Sequence, residues 1–203
     1  MTDQAAAPRS LLHRMYAWCM AQADKRHSFW TIGAVSFAES SVFPIPPDVM
    51  LIPMSLARPD RAYVLAAWCT LTSVLGGLVG YAIGALLYDS VGQWLMHIYN
   101  LTDKVETFRQ SYAEWGSVII LVKGLTPIPY KLVTITSGFA GYDIWLFILC
   151  SIVARGGRFF VLAVLLNRYG DTIRAELEKR LTLWVVIGAI VLVAGFYIAV
   201  KLV

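Results

Sequence analysis

The longest uncharged stretch of the central sequence runs from residue 62 to residue 88, between Arg61 and Asp89. A helix needs about 20 apolar residues to cross the hydrocarbon core of a bilayer, so this stretch is long enough to span one. The composition agrees, because 58% of the 203 residues are hydrophobic and only 15% are charged, whereas soluble domains carry about 25% charged residues. These values exclude a water-soluble enzyme and a disordered chain, and they predict a single integral membrane domain over residues 1–203.

Two proline-rich segments interrupt other apolar regions, at residues 28–57 and 115–140. Their prolines are Pro44, Pro46 and Pro47 in the first region and Pro127 and Pro129 in the second. Proline lacks a backbone donor and cannot continue a helix. Non-helical backbone at membrane depth must be buried in protein or line a cavity. We therefore predict two re-entrant hairpins with these prolines at their tips.

The two hairpins are predicted to form an internal repeat. Pro127 follows Pro44 by 83 residues, and each hairpin is followed by a span that carries a Gly-Gly pair, at residues 76–77 and 156–157. Because an odd number of crossings separates the hairpins, they would enter from opposite faces of the membrane, as in the inverted repeats of many transporters. Chance recurrence of a proline-containing tripeptide is the alternative.

The remaining segments complete the predicted fold, which is all-α and multi-pass. Apolar spacing and charge predict an interfacial helix at 10–26, a span at 62–88, an interfacial connector at 89–114, a span at 144–167, a charged loop at 168–180 and a C-terminal span at 181–203. With this topology, the face that holds the N-terminus carries ten Lys and Arg residues and the opposite face carries three. The positive-inside rule then places the N-terminus in the cytoplasm.

Six ionisable residues are predicted to lie at membrane depth. They are Glu39, Asp48, Lys123, Lys131, Arg155 and Arg158. Each costs about 2.5–3.5 kcal/mol on insertion scales, so a functional pathway with paired charges is the default hypothesis. We expect the acids and bases to meet in a polar pocket at the midplane. Structural salt bridges that only hold the hairpins together are the alternative.

The bases are candidates for binding a phosphate group. Four bases and two acids leave a charge of +2, which roughly matches the charge of about −1.5 to −2 on a phosphate monoester. Arg155 and Arg158 are three residues apart, share one helix face, and could offer forked donors to phosphate oxygens. Lys123 and Lys131 complete the predicted phosphate-binding set.

The acids are candidates for proton coupling. Burial favours the protonated form of a carboxyl group, whereas a nearby base favours the ionised form. Glu39, under both influences, could load and release a proton. Asp48 is a second candidate, although an acid beside a helix N-terminus is also an ordinary stabilising residue of the first turn.

Other chemistry finds no support in the sequence. No nucleophile motif, Cys-x-x-Cys pair or phosphate-binding glycine loop is present, and the three histidines lack ligand spacing. We therefore expect no catalytic residues, no metal and no cofactor. The 17 Lys and Arg residues form no basic run, so we expect no nucleic-acid partner.

Several motifs give the chain a family resemblance. They are Phe37-x-Glu39 with Phe43-Pro44-Ile45-Pro46-Pro47-Asp48, the run Gly76-Gly77-x-x-Gly80-Tyr81-x-x-Gly84, the segment Lys123 to Lys131, and Ser137-Gly138-x-x-Gly141. Over about residues 28–170 the chain resembles the DedA family, the bacterial branch of the VTT-domain membrane proteins, and in particular its YqaA-like members.

The resemblance implies two opposed re-entrant hairpins and the transport or scrambling of lipids in the bacterial inner membrane. It implies undecaprenyl phosphate as one substrate and dependence on the proton motive force. The essential acids of the family fall on Glu39 and Asp48. Lys123 and Lys131 stand where the family commonly has two arginines, and lysine offers a point charge rather than a bidentate fork.

We therefore expect a proton-coupled lipid transporter of the inner membrane, a flippase or a scramblase, whose partners are protons and a lipid with an anionic phosphate head group. A homo-oligomer is left open. Two alternatives remain: a transporter of a small ion or solute through the same cavity, and a membrane scaffold that transports nothing. A pocket that opens sideways to the bilayer would favour a lipid, and a pocket sealed from the bilayer would favour a solute.

Overall fold

The computed structural model of the chain describes residues 27–41, 46–92, 102–125 and 130–201, together with residues 18, 20 and 21. The interfacial helix predicted at 10–26 lies almost entirely outside these ranges. The predicted tip prolines Pro44, Pro127 and Pro129 lie outside them as well.

The described ranges contain helices and no strand, which confirms the all-α prediction for this part of the chain. The helices are α1 (Ser28–Ser41), α2 (Asp48–Ala57), α3 (Ala62–Leu87), α4 (Thr102–Leu125), α5 (Tyr130–Ala140) and α6 (Ile144–Lys201). A 3₁₀ turn at Pro59–Arg61 joins α2 to α3, and a π-helical turn at Tyr88–Gly92 follows α3.

Two helical segments are long and apolar enough to cross a membrane, Pro59–Ser90 and Ile144–Leu177. They contain the predicted spans at 62–88 and 144–167. Large apolar side chains point outward from both, including Leu86 at 66% exposure and Val161 at 59%. Such continuous apolar surface suits contact with lipid rather than water, so the fold is that of an all-α membrane protein.

The charged loop predicted at residues 168–180 is wrong, because these residues are helical. α6 continues through them to Lys201, with non-helical backbone angles at Tyr169 and Arg180. Glu, Arg, Lys, Leu and Ala dominate residues 174–181 and favour helix strongly. Glu176 also pairs with Arg180 one turn later, at 3.2 Å. Two bends in a helix therefore replace the loop.

The predicted boundary between the connector at 89–114 and the second hairpin falls inside a helix. A single helix, α4, runs from Thr102 to Leu125 and crosses this boundary without a break. The change from polar to apolar composition near Trp115 falls within this one helix. It does not mark a helix end.

The helices form two halves, α1–α3 and α4–α6, and each half has two shorter helices followed by a long one. We call the two shorter helices of a half its first and second legs. The first legs, α1 and α4, pack on the long helix of their own half, α3 and α6 respectively. The second legs pack mainly on the long helix of the other half, so that α2 lies on α6 and α5 lies on α3. α3 and α6 also contact each other, which places them at the centre of the molecule.

The glycines of α3 allow α1, a first leg, and α5, a second leg, to approach its backbone closely. A Cβ atom on Gly76 would overlap the carbonyl oxygen of Phe37 in α1, and a Cβ atom on Gly84 would overlap that of Ile135 in α5. Gly138 of α5 is equally close to the carbonyl oxygen of Tyr81. Small residues at such spacing are typical of close helix contacts in membranes.

Candidate functional site

A buried ion pair joins the two halves of the molecule. Nη2 of Arg155 in α6 lies 2.6 Å from Oε2 of Glu39 in α1. Arg155 is 2% exposed and Glu39 is 8% exposed. A charge-assisted hydrogen bond this short and this well shielded from solvent is among the stronger contacts available to a folded chain.

Hydroxyl groups on α1 and α3 hold the guanidinium of Arg155 in place. Its Nε–H donates to Oγ of Ser73 at 2.6 Å, and Ser73 Oγ lies 2.7 Å from Ser40 Oγ. Because Ser73 accepts from Arg155, its own hydrogen is available to Ser40. The single hydrogen of Ser40 then has two acceptors, Glu39 Oε2 at 3.4 Å and the carbonyl oxygen of Ser36 at 3.1 Å. The contacts close a ring through three helices.

The N-terminus of α5 approaches the same ion pair from the other side. The backbone N–H of Tyr130 donates to Oε1 of Glu39 at 3.4 Å. The phenol of Tyr130 donates to Ser151 at 2.5 Å, and its ring centroid lies 4.9 Å from the guanidinium of Arg155. The ring of Phe159 lies 4.8 Å from the same group. Arg155 therefore gains two cation–π contacts in addition to its ion pair.

A second ion pair, between Asp48 and Arg158, lies in more open surroundings. Nη2 of Arg158 in α6 contacts Oδ2 of Asp48 at the start of α2, and the two side chains are 23% and 18% exposed. Oδ1 of Asp48 is buried and has no hydrogen-bond partner among the described residues.

The Asp48–Arg158 pair lines a groove of about 400 Å³ between α2 and α6. The other lining residues are Ile52, Gly157, Val161 and Leu162. The groove thus combines one ion pair with apolar walls. Because Val161 is largely exposed, the groove lies at the outer surface of the helices rather than in the core.

The structure places the predicted bases in different surroundings. Arg155 and Arg158 meet the two predicted acids, whereas Lys123 and Lys131 are partly exposed near the end of α4 and the start of α5. Pro47 immediately precedes α2, and its carbonyl oxygen accepts the backbone N–H of Met50 and Leu51. Within the described ranges, no three His, Cys, Asp or Glu side chains converge on a possible metal position.

Comparison with known proteins gives the family of the chain. The VTT domain matches residues 45–168, which include Asp48 and all four predicted bases, while Glu39 lies six residues before the match. The chain belongs to the VTT-domain family, the family of the DedA proteins.

Two relatives of this VTT-domain chain come from bacteria. An uncharacterized protein of Haemophilus influenzae is 34% identical over 170 residues, which cover 82% of this chain and 86% of the relative. An uncharacterized protein of Histophilus somni is 34% identical over 167 residues, covering 82% of this chain and 87% of the relative. No solved structure matches this VTT-domain chain.

The polar residues that support the Glu39–Arg155 pair of this VTT-domain protein were not predicted from the sequence. Ser40, Ser73 and Ser151 are fully buried among apolar helices, and Tyr130 resembles an ordinary core aromatic in the sequence. A usable signal was present, because Ser36 and Ser40 are one helical turn apart in an apolar segment. Hydroxyl side chains on apolar helices often bond across helices in membranes.

Replacing Ser73 with alanine tests the hydroxyl ring. We expect Ser73→Ala to lower the free energy of unfolding by about 1–3 kcal/mol, because it leaves the Nε–H of Arg155 and the hydroxyl of Ser40 with one partner fewer. Ser41→Ala is the matched control, since the Ser41 hydroxyl bonds only to carbonyl groups of its own helix among the described contacts. Unfolding of the purified protein in detergent measures both variants, and equal losses would contradict the role given to Ser73.

Proposed function

We propose that this VTT-domain chain moves a lipid with a phosphate head group across the bacterial inner membrane, in exchange with or together with protons. The observation that carries the proposal is that both acids of the first half pair with arginines of the second half, at Glu39–Arg155 and Asp48–Arg158. Charges at membrane depth are costly, and they commonly mark substrate pathways and proton relays. Membership of the VTT-domain family supports the same conclusion.

The proposal includes two re-entrant hairpins related by an inverted repeat. α1, α2 and α5 contain 14, 10 and 11 residues, so they are roughly 21, 15 and 16 Å long at a rise of about 1.5 Å per residue. None of the three can cross a hydrocarbon core of about 30 Å. The exchanged packing of α2 on α6 and of α5 on α3 also agrees with a two-fold relation between the halves. A cytoplasmic N-terminus and a third span at 181–203 belong to the same proposal.

The groove between α2 and α6 favours a lipid over a soluble ion. Among the described residues that line it, Asp48 and Arg158 carry charge and the others are apolar or glycine. A phosphate group could bind Arg158 while its hydrocarbon chain lies along Val161 and Leu162. Lys123 and Lys131, on the second hairpin, would supply further positive charge to the head group. The candidate lipids are a polyprenyl phosphate and a glycerophospholipid.

Movement of labelled lipids in reconstituted vesicles tests this function. We compare a labelled polyprenyl phosphate with a labelled phospholipid, each with and without a pH gradient. Faster movement of the polyprenyl phosphate that responds to the gradient would support a proton-coupled transporter. Equal movement of both lipids without response would indicate a scramblase, and movement of neither would contradict lipid transport.

Two conservative substitutions test which acid carries the proton. We expect at least one of Glu39→Gln and Asp48→Asn to abolish the response of lipid movement to the pH gradient. The reason is that a side-chain amide, unlike a carboxylate, does not take up a proton near neutral pH. Asp143→Asn is the control. Asp143 caps α6 by accepting the N–H of Leu146, and asparagine caps helices equally well. If both acidic-site variants keep the full response, the proton pathway lies elsewhere.

A further inference from the structure

The two ion pairs of the site differ in access to a ligand. The Glu39–Arg155 pair is shielded by the hydroxyl ring and by two aromatic rings, and Arg155 is 2% exposed. The Asp48–Arg158 pair borders the groove between α2 and α6, and both of its side chains retain about a fifth of their exposure. A head group in the groove can therefore reach Arg158 without disturbing Arg155.

The two acids also differ in how fully their oxygens are bonded. Both oxygens of Glu39 accept hydrogen bonds, Oε1 from Tyr130 and Oε2 from Arg155. Asp48 is held through Oδ2, while its buried Oδ1 has no partner among the described residues. An ionised oxygen that is buried without a partner is costly. A proton can therefore be added to Oδ1 of Asp48 without the loss of any described hydrogen bond.

We propose that Asp48 occupies the phosphate position on Arg158 in the unloaded protein and is displaced by the head group. A phosphate oxygen replaces Oδ2 of Asp48 at the guanidinium of Arg158. The displaced carboxylate, now in apolar surroundings without its counter-charge, takes up one proton from water at Oδ1. Loading thus exchanges a carboxylate for a phosphate on Arg158 and consumes one proton, while the Glu39–Arg155 pair stays closed and holds the two halves together.

The charged groups around Asp48 agree with this exchange. Arg158 faces it from α6, and the buried thiol of Cys69 belongs to α3, which also packs against α2. A guanidinium that donates two parallel hydrogen bonds to a phosphate binds it more strongly than it binds a single carboxylate oxygen. The phosphate therefore replaces the hydrogen bond that Arg158 loses when Asp48 leaves. The added proton removes the charge that Asp48 would otherwise keep in buried surroundings.

This inference rests on the proposed function only in taking the ligand to be a lipid with a phosphate head group. It can therefore be tested by measuring ligand binding, without measuring lipid movement. The probe is dodecyl phosphate, titrated calorimetrically into the purified full-length protein in maltoside detergent, in two buffers with different ionisation enthalpies. We expect about one proton to be taken up per dodecyl phosphate bound. The affinity should fall by up to about tenfold per pH unit as the pH rises, because binding that takes up a proton is favoured at low pH.

Variants of Asp48 and Arg158 distinguish the proposed carboxylate-for-phosphate exchange from binding of phosphate by charge attraction alone. We expect Asp48→Asn to bind dodecyl phosphate about tenfold more tightly and without proton uptake, since no carboxylate competes for Arg158. Arg158→Gln should lose binding, and Arg158→Lys, which keeps the charge but not the fork, should bind weakly with proton uptake retained. Asp143→Asn should behave as the wild type. Monodisperse elution of each variant shows that it is folded.

Two further probes identify the source of the phosphate. Inorganic phosphate should bind more weakly than dodecyl phosphate, because it gains nothing from the apolar groove. Dodecanol should produce no proton uptake. Binding of dodecyl phosphate without proton uptake in the wild type, or with equal uptake in Asp48→Asn, would overturn the exchange. Proton-linked binding without lipid movement in vesicles would instead remove the proposed function and leave the exchange standing.

Discussion

Replacing Arg155 with leucine is expected to lower the free energy of unfolding by about 3–5 kcal/mol, because removal of one partner leaves an uncompensated charge in a buried ion pair. Glu39 would keep the N–H of Tyr130 and the hydroxyl of Ser40 as partners, yet neither is charged. Ser73 would lose its donor as well. Denaturant unfolding of the purified protein in detergent measures the loss.

A double-mutant cycle separates the ion pair from its hydroxyl ring. The combined variant Glu39→Leu, Arg155→Leu should lose less stability than Arg155→Leu alone, since a buried ion pair replaced by apolar side chains is often nearly neutral. Arg58→Leu is the control, because the pair between Arg58 and Asp60 is exposed, and it should change stability far less. A loss in the double variant equal to the sum of the losses in Glu39→Leu and Arg155→Leu would contradict a direct coupling between Glu39 and Arg155.

Gly84→Ala is expected to lower the free energy of unfolding by about 1–3 kcal/mol, the usual range for overpacking. The new methyl group would overlap the carbonyl oxygen of Ile135 in α5. A backbone atom cannot move aside as a flexible side chain can, so α3 and α5 would have to separate. Thermal unfolding in detergent measures the shift, and transport should fall with it if α5 positions the N–H of Tyr130 at Glu39.

Gly156→Ala is the matched control for this prediction. Gly156 is buried in α6, but a Cβ atom there would lie 3.6 Å from Thr70 Cγ2, an ordinary contact. Alanine is favoured over glycine in a helix by about 1 kcal/mol, so this variant should be neutral or slightly stabilised. Equal losses at Gly84 and Gly156 would show that the close approach of α3 and α5 does not limit stability.

The sequence was sufficient to predict the all-helical membrane fold and to select the charged residues that take part in the two ion pairs. The reason is energetic: an uncharged stretch such as 62–88 can only be a span or a core helix, and an isolated Glu39 in an apolar segment demands a partner. The choice of partner was beyond the sequence. Arg155 and Lys123 carry the same charge, and it is the packing of both α1 and α6 on α3 that brings Glu39 to Arg155.

The helix ends were predicted less well for a related reason. Residues 168–180 are charged, and a charged stretch between two apolar ones resembles a loop. The chain there is nevertheless rich in residues that favour helix, and two local bends at Tyr169 and Arg180 accommodate the change of surroundings. Composition reports whether a segment prefers water or lipid. It does not report whether the backbone stops being helical where that preference changes.

The exchanged second legs make the two halves of the chain depend on each other. A first leg packs on the long helix of its own half, but the main partner of each second leg lies on the other half. Either half made alone would therefore expose the apolar face of its second leg. The two halves should for this reason unfold together rather than one after the other.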